Sequence, residues 1–89
     1  MGNLSEEIRN LIEEKVEDLG YKIKRIEIGR EGGIRSVTVY IFKEDEPIGI
    51  KDCVRVSRVI DPILEKADII KEKWVLIVSS PGEDEKKQK

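Results

Sequence analysis

Trp74-Val75-Leu76-Ile77-Val78-Ser79-Ser80-Pro81-Gly82 is the stretch on which the fold turns. Five apolar residues run straight into two serines, a proline and a glycine. A short apolar run bounded by breakers reads as a strand. Pro81 has no N–H to donate, and Gly82 reaches backbone conformations closed to other residues, so the strand stops there. This strand needs an earlier sheet to join. Val37, Val39 and Ile41 alternate with Ser36, Thr38 and Tyr40, the clearest period-two segment in the chain. Upstream, Lys22 to Ile28 reads as another strand, with Ile23 out of phase with Ile26 and Ile28. A bulge near Lys24-Arg25 restores the phase. Gly32-Gly33 lies between the two runs and predicts a hairpin turn.

Two helices complete the pattern. Leu4, Ile8, Leu11, Ile12, Val16 and Leu19 recur at three- and four-residue steps, which predicts an amphipathic helix. Asn3 with Glu6 offers a capping box, and Gly20 falls where a left-handed C-cap belongs. A second helix begins near Gly49 or Ile50, after the polar loop from Glu44 to Ile48. Cys53, Val56, Ile60, Ile63 and Leu64 mark its inner stripe. Pro62 interrupts that stripe and predicts a kink, or a break between Ile60 and Pro62. Residues 65–73 carry no clear pattern. The order α-β-β-α-β, with one apolar face on the sheet, predicts an α+β two-layer sandwich. A right-handed helical crossover makes the second and third strands parallel. The expected sheet is three-stranded and mixed, in order 1-2-3, with both helices on one face. This layout is similar to the type II KH topology, but no Gly-x-x-Gly occurs in the helical region to clamp a nucleic-acid backbone.

Eighty-nine residues make one small domain. There is no apolar run long enough for a membrane span and no secretory leader, and one cysteine cannot form an internal disulfide. These features point to a reducing cytoplasm. Charged residues make up 40 % of the chain, rich in Glu and Lys, a composition that fits a thermophile. The net charge is only −2 but is unevenly placed. Residues 5–19 carry six acids and two bases, residues 20–43 carry six bases and two acids, and Glu44-Asp45-Glu46 follows.

Catalysis finds little support. There is no histidine, the commonest general base and metal ligand. Cys53 falls on the inner helical stripe and reads as a small buried hydrophobe. Ser79 and Ser80 have no base nearby in sequence and read as strand-end hydrogen-bonding residues. No catalytic, metal-binding or cofactor site is expected. Binding finds more. Lys22, Lys24, Arg25, Arg30 and Arg35 lie on the predicted hairpin and make a candidate contact for RNA phosphates. The competing reading is a surface ion network with the acids of the first helix. A second candidate surface is apolar. If Val37, Val39, Ile41, Leu76 and Val78 face the helices, then Tyr40, Phe42, Val75 and Ile77 face away, as a docking patch for a partner or a second copy.

Taken in order, Gly20-Tyr21, Arg30-Glu31-Gly32-Gly33, Val37 to Ile41, Ile50-Lys51-Asp52-Cys53-Val54-Arg55-Val56-Ser57-Arg58 and Ser79-Ser80-Pro81-Gly82 resemble the N-terminal domain of the RimP family of bacterial ribosome maturation factors. The resemblance covers roughly residues 4–82. It implies a RimP-like domain over residues 1–82, after which the family continues into an SH3-like domain; residues 83–89 are instead charged and without apolar side chains, a composition that predicts a disordered tail. It implies a non-catalytic role in maturing the 30S subunit, by transient binding to its precursor. The implied partners are 16S rRNA and small-subunit ribosomal proteins. Relatives usually carry an acid at the position of Ile77, which singles out the apolar patch and a weak homodimer through it. The alternatives are a stand-alone KH-like RNA-binding domain and a homodimeric interaction module.

Overall fold

The computed structural model describes residues 3–80; Pro81, Gly82 and the charged stretch 83–89 lie outside the described residues. Five elements follow in the order α1 (Leu4–Asp18), β1 (Lys22–Glu31), β2 (Ile34–Phe42), α2 (Ile50–Ala67) and β3 (Trp74–Ser79). The sheet order is β1-β2-β3, with β1 antiparallel and β3 parallel to the central β2. This is the α+β arrangement that the sequence predicts.

Local chemistry sets the ends of α1. The Asn3 side-chain oxygen accepts the Glu6 backbone N–H at 2.9 Å, satisfying one of the four free donors of the first turn. At the other end Gly20 adopts φ +100°, which lets the Gly20 and Tyr21 N–H groups bond back to Glu17 and Val16. The chain then enters β1. Pairing with β2 shifts register between Ile23 and Arg25, so the expected bulge is present. Ile23 faces Ile41, while Ile26 and Ile28 face Val39 and Val37. One extra residue has thereby turned all three isoleucines toward the helices. Arg9 of α1 supports this point by donating from Nη2 to the Ile23 carbonyl at 3.3 Å. Gly32 and Gly33 both have positive φ, +60° and +81°, and Glu31 pairs directly with Ile34. Two positive φ values in a two-residue loop match the twist of the flanking strands, and glycine adopts them without steric strain.

The core is one apolar layer. Ile8, Ile12 and Val16 from α1, Val37, Val39 and Ile41 from β2, and Val56, Ile60 and Leu64 from α2 are all buried in a single cluster. Leu76 and Val78 pack against it and lie opposite Val37 and Val39 in register. Each fully buried aliphatic side chain contributes about 1.5–3 kcal/mol relative to an exposed one. Three such residues on β2 make it the centre of the sheet in energy as well as in order.

Of the two outcomes expected at Pro62, a kink or a break, the break does not occur in α2. The helix runs unbroken from Ile50 to Ala67 with the proline inside it. Pro62 and Arg58 are both exposed, so the Arg58 carbonyl that loses its N–H partner lies on the water side. The helix ends at Asp68, which takes the left-handed conformation usually given to glycine (φ 54°).

Cys53 is buried, at 8 % exposure, on the inner face of α2. Cys53→Ala is expected to lower unfolding free energy by about 1–3 kcal/mol through lost packing. Denaturant titration measures this directly. Native protein is expected to react slowly with a bulky thiol reagent, and fast labelling would show that the thiol is open to solvent.

Candidate functional site

The first constellation lies where α1 hands over to β1. Tyr21 is fully buried, and a buried phenol needs a partner for its hydroxyl. The Tyr21 hydroxyl donates to Asp52 Oδ1 on the first turn of α2. Asp52 Oδ2 accepts the Gly49 backbone N–H at 2.9 Å, so the same carboxylate caps the helix. Lys43 sits 5.0 Å from the centre of the Tyr21 ring. The hydrogen bond from Tyr21, then that from Gly49, holds the Asp52 carboxyl below its ordinary value of 3.8, with Lys43 and Arg55 adding a positive field. The bond to Asp52 and burial both push the Tyr21 hydroxyl above its ordinary 10.0. The chemistry of this cluster is structural: a carboxylate fixed in its charged form, a phenol fixed in its neutral form. In the sequence Asp52 stands out only within the stretch Ile50 to Arg58 that carries the resemblance, and nothing local marks Tyr21 as its partner.

The second constellation is the hairpin. Lys22, Lys24, Arg25, Arg30 and Arg35 do not form one patch. Lys22 and Arg25 lie on the outer face of the sheet, opposite Phe42 and Tyr40. Arg30 is five residues from Arg25, about 16 Å along the strand and on the other face. Arg30 pairs across the strands with Arg35 near the turn. Most of these cations already hold a carboxylate. Lys22 pairs with Glu44 at 2.8 Å, and Arg25 pairs with Glu27 at 2.8 Å while lying 4.2 Å above the Tyr40 ring. Glu72 takes both remaining arginines, Arg30 at 2.9 Å and Arg35 at 3.0 Å. These two contacts hold the Glu72 carboxyl below its ordinary range. Lys24, exposed at the bulge, makes no ion pair among the described residues. Among the described residues the partners come from loops and from β1 itself, not from α1, so the competing reading holds for a surface ion network but not for one with the first helix. Glu72 was invisible in sequence because it lies in the patternless stretch between α2 and β3.

The third surface is the outer face of the sheet. Register places Ser36 beside Val75 and Thr38 beside Ile77, with Tyr40 beside Ser79. Tyr40, Phe42 and Ile77 are half-buried, and Val75 is 41 % exposed. The apolar residues thus form a diagonal band interleaved with hydroxyls. Phe42 lies beyond the segment that β3 pairs with, so it does not adjoin Val75 or Ile77 directly.

No group of three or more His, Cys, Asp or Glu among the described residues is placed to hold a metal ion. No described helix is long and apolar enough to cross a membrane. Among the described residues, a shallow opening of about 280 Å³ is lined by Gly20, Lys22, Lys43 and the acids Glu44, Asp45 and Glu46.

Fold and surfaces together define the class: a small α-β-β-α-β domain whose recognisable chemistry lies on its surfaces. The model of the RimP N-terminal domain matches residues 11–84, most of the chain. The chain belongs to that family, a family of ribosome maturation factors. Among solved structures, it is similar to the C-terminal domain of the magnetosome protein MamB from Desulfamplus magnetovallimortis BW-1. That likeness has TM-score 0.58 and 17 % identity, over 84 % of this chain and 86 % of the other. At this identity the likeness shows the shared fold alone.

The Tyr21–Asp52 pair yields a pH test. Asp52's native value is depressed, so its contribution is complete above about pH 4 and disappears as pH falls through the lower native value. The Tyr21 shift acts at the alkaline end, where stability is lost as pH rises through the raised native value. Tyr21→Phe removes the largest cause of both shifts. It is expected to lower the melting temperature at neutral pH and to flatten its decline between about pH 4 and about pH 2. Parallel melting curves for the two proteins across that range would assign the pair no such role.

Proposed function

We propose that this domain acts without catalysis in maturing the 30S ribosomal subunit, by transient binding to the subunit precursor in the cytoplasm. The observation that carries the reading is membership of the ribosome maturation family over residues 11–84. The partners in this reading are 16S rRNA and small-subunit ribosomal protein. The outer sheet face is the proposed contact for protein. There the band Tyr40, Phe42, Val75 and Ile77 gives apolar area, and the half-buried Thr38 beside Ile77 gives a polar partner. Lys22, Lys24 and Arg25 border the band and are proposed to meet nearby phosphates. Arg30 and Arg35, engaged by Glu72, contribute at the far end only by exchanging that carboxylate for phosphate. Exposed pairs are worth little individually, so such exchange is inexpensive. In the absence of the precursor, the same band offers a weak contact to a second copy of the chain.

Co-sedimentation with immature 30S particles tests the reading, with mature 30S and 50S subunits as comparison. Selective retention on the immature particle is expected, and absence of retention at low salt would overturn the assignment. Ile77→Glu is expected to leave the fold intact and to weaken retention by about tenfold or more, since it places a charge in the centre of the apolar contact. It should also abolish any self-association seen by sedimentation at high concentration. Retention indistinguishable from wild type would remove the sheet face from the proposed interface.

A further inference from the structure

Among the described residues, four of the five candidate hairpin cations hold a carboxylate and only Lys24 does not, whereas a whole line of cations on α2 holds none. Lys51, Arg55, Arg58 and Lys66 are all exposed on α2, and none makes a hydrogen bond or ion pair among the described residues. At 100° per residue these four fall within a sector of about 80°. Pro62 lies in the same sector, and no acidic residue does. Asp61 and Glu65 lie to one side of it, with Ile50 and Val54. Asp52 lies to the other side and is held by Tyr21 and Gly49. Arg55 is near enough to Asp52 to add to its positive field, but it donates nothing to it. The core stripe of Cys53, Val56, Ile60 and Leu64 occupies the opposite side of the helix. The ridge therefore faces solvent along the helix layer, away from the outer sheet face.

We propose that this ridge is a second binding site, and that its ligand is an RNA phosphate backbone. From Lys51 to Lys66 the helix rises about 22 Å, enough to follow several successive phosphates. The contrast with the hairpin is electrostatic. There Glu27, Glu44 and Glu72 cancel most of the local positive field. On the ridge each guanidinium or ammonium keeps its full set of donors for a ligand. A polyanion gains from such a line of charges by releasing its own counterions. The side chains next to the ridge, Ile50 and Val54, are aliphatic and offer no stacking platform, so contact is to backbone and not to base. The choice of RNA over an acidic protein rests on the family reading above. With the ridge on one layer and the apolar band on the other, one domain joins an RNA segment to a protein surface.

The test uses the triple variant Lys51→Gln, Arg58→Gln, Lys66→Gln; Arg55 is left in place because it borders Asp52. The control is Lys15→Gln, Lys71→Gln, Lys73→Gln, which removes the same charge from exposed lysines elsewhere. Affinity is measured for immature 30S particles and for a naked RNA duplex, between about 50 and about 300 mM salt. The ridge variant is expected to bind both at least about tenfold more weakly at low salt. The slope of log K against log salt should fall by roughly 2 to 3, against less than about 1 for the control. Circular dichroism checks folding. If the triple variant melts early, Lys51→Gln and Arg58→Gln are measured singly, each expected to remove about 0.7–0.9 from the slope. Wild-type slopes in the ridge variants, or equal losses in the control, would overturn the ridge. RNA binding through the ridge without particle binding would support the ridge and overturn the maturation reading. Particle binding with no duplex binding and no ridge effect would do the reverse, assigning recognition to the sheet face and the particle's proteins. Binding to neither would overturn both.

Discussion

The hydrogen bond from the Tyr21 hydroxyl to Asp52 is the constraint on which the rest of the arrangement depends. Tyr21 is the largest fully buried side chain, and a phenol at that depth cannot be left without an acceptor. Asp52 answers it with one oxygen and fixes the Gly49 N–H with the other. The first contact ties the corner after α1 to the helix layer. The second fixes where α2 begins, and the start of a helix sets the rotational phase of everything after it. A start one residue later would turn Cys53, Val56, Ile60 and Leu64 by about 100° away from the sheet. It would turn the exposed cationic line inward by the same amount. Core and surface are thus set by one carboxylate.

The parts of this structure that were legible in sequence are those governed by short-range periodicity. The Asn3 cap, the Gly20 stop and the bulge beside Lys24 each rest on residues within one turn or one strand of each other. Strand facing was also legible, because Val37, Val39 and Ile41 leave no freedom once the helices cover one side. The sheet order followed from handedness, since an intervening helix favours a parallel return. A break at Pro62 does not follow from the proline alone, because its cost depends on which side of the helix it lies. On the solvent face of α2 the orphaned carbonyl meets water, and the helix continues.

The surfaces were less legible, for a physical reason. Charge along a sequence says how many cations a segment carries and not what neutralises them. The hairpin looked strongly basic because its acids are remote in sequence: Glu44 lies beyond β2 and Glu72 beyond α2. The α2 cations drew less attention because Asp52, Asp61 and Glu65 dilute them in a linear count. Only the helical projection separates those acids from the ridge. In the same way the apolar band looked like a compact patch until the register set hydroxyls between its members. Pairing across the fold redistributes what composition suggests.

The two joins of β2 also order the assembly of the domain in time. Gly32 and Gly33 alone separate β1 from β2, so the hairpin closes over a two-residue loop at small closure entropy. β3 reaches β2 only after the whole of α2 and both of its flanking loops have been traversed. Its pairing therefore carries the larger chain-closure entropy and is repaid only when α2 has docked. Until then the run from Val75 to Val78 is uncovered, with the β propensity and lack of charge that favour pairing with the wrong strand. Lys71, Glu72 and Lys73 lie just before Trp74, the kind of charged flank that limits mispairing of an uncovered apolar strand.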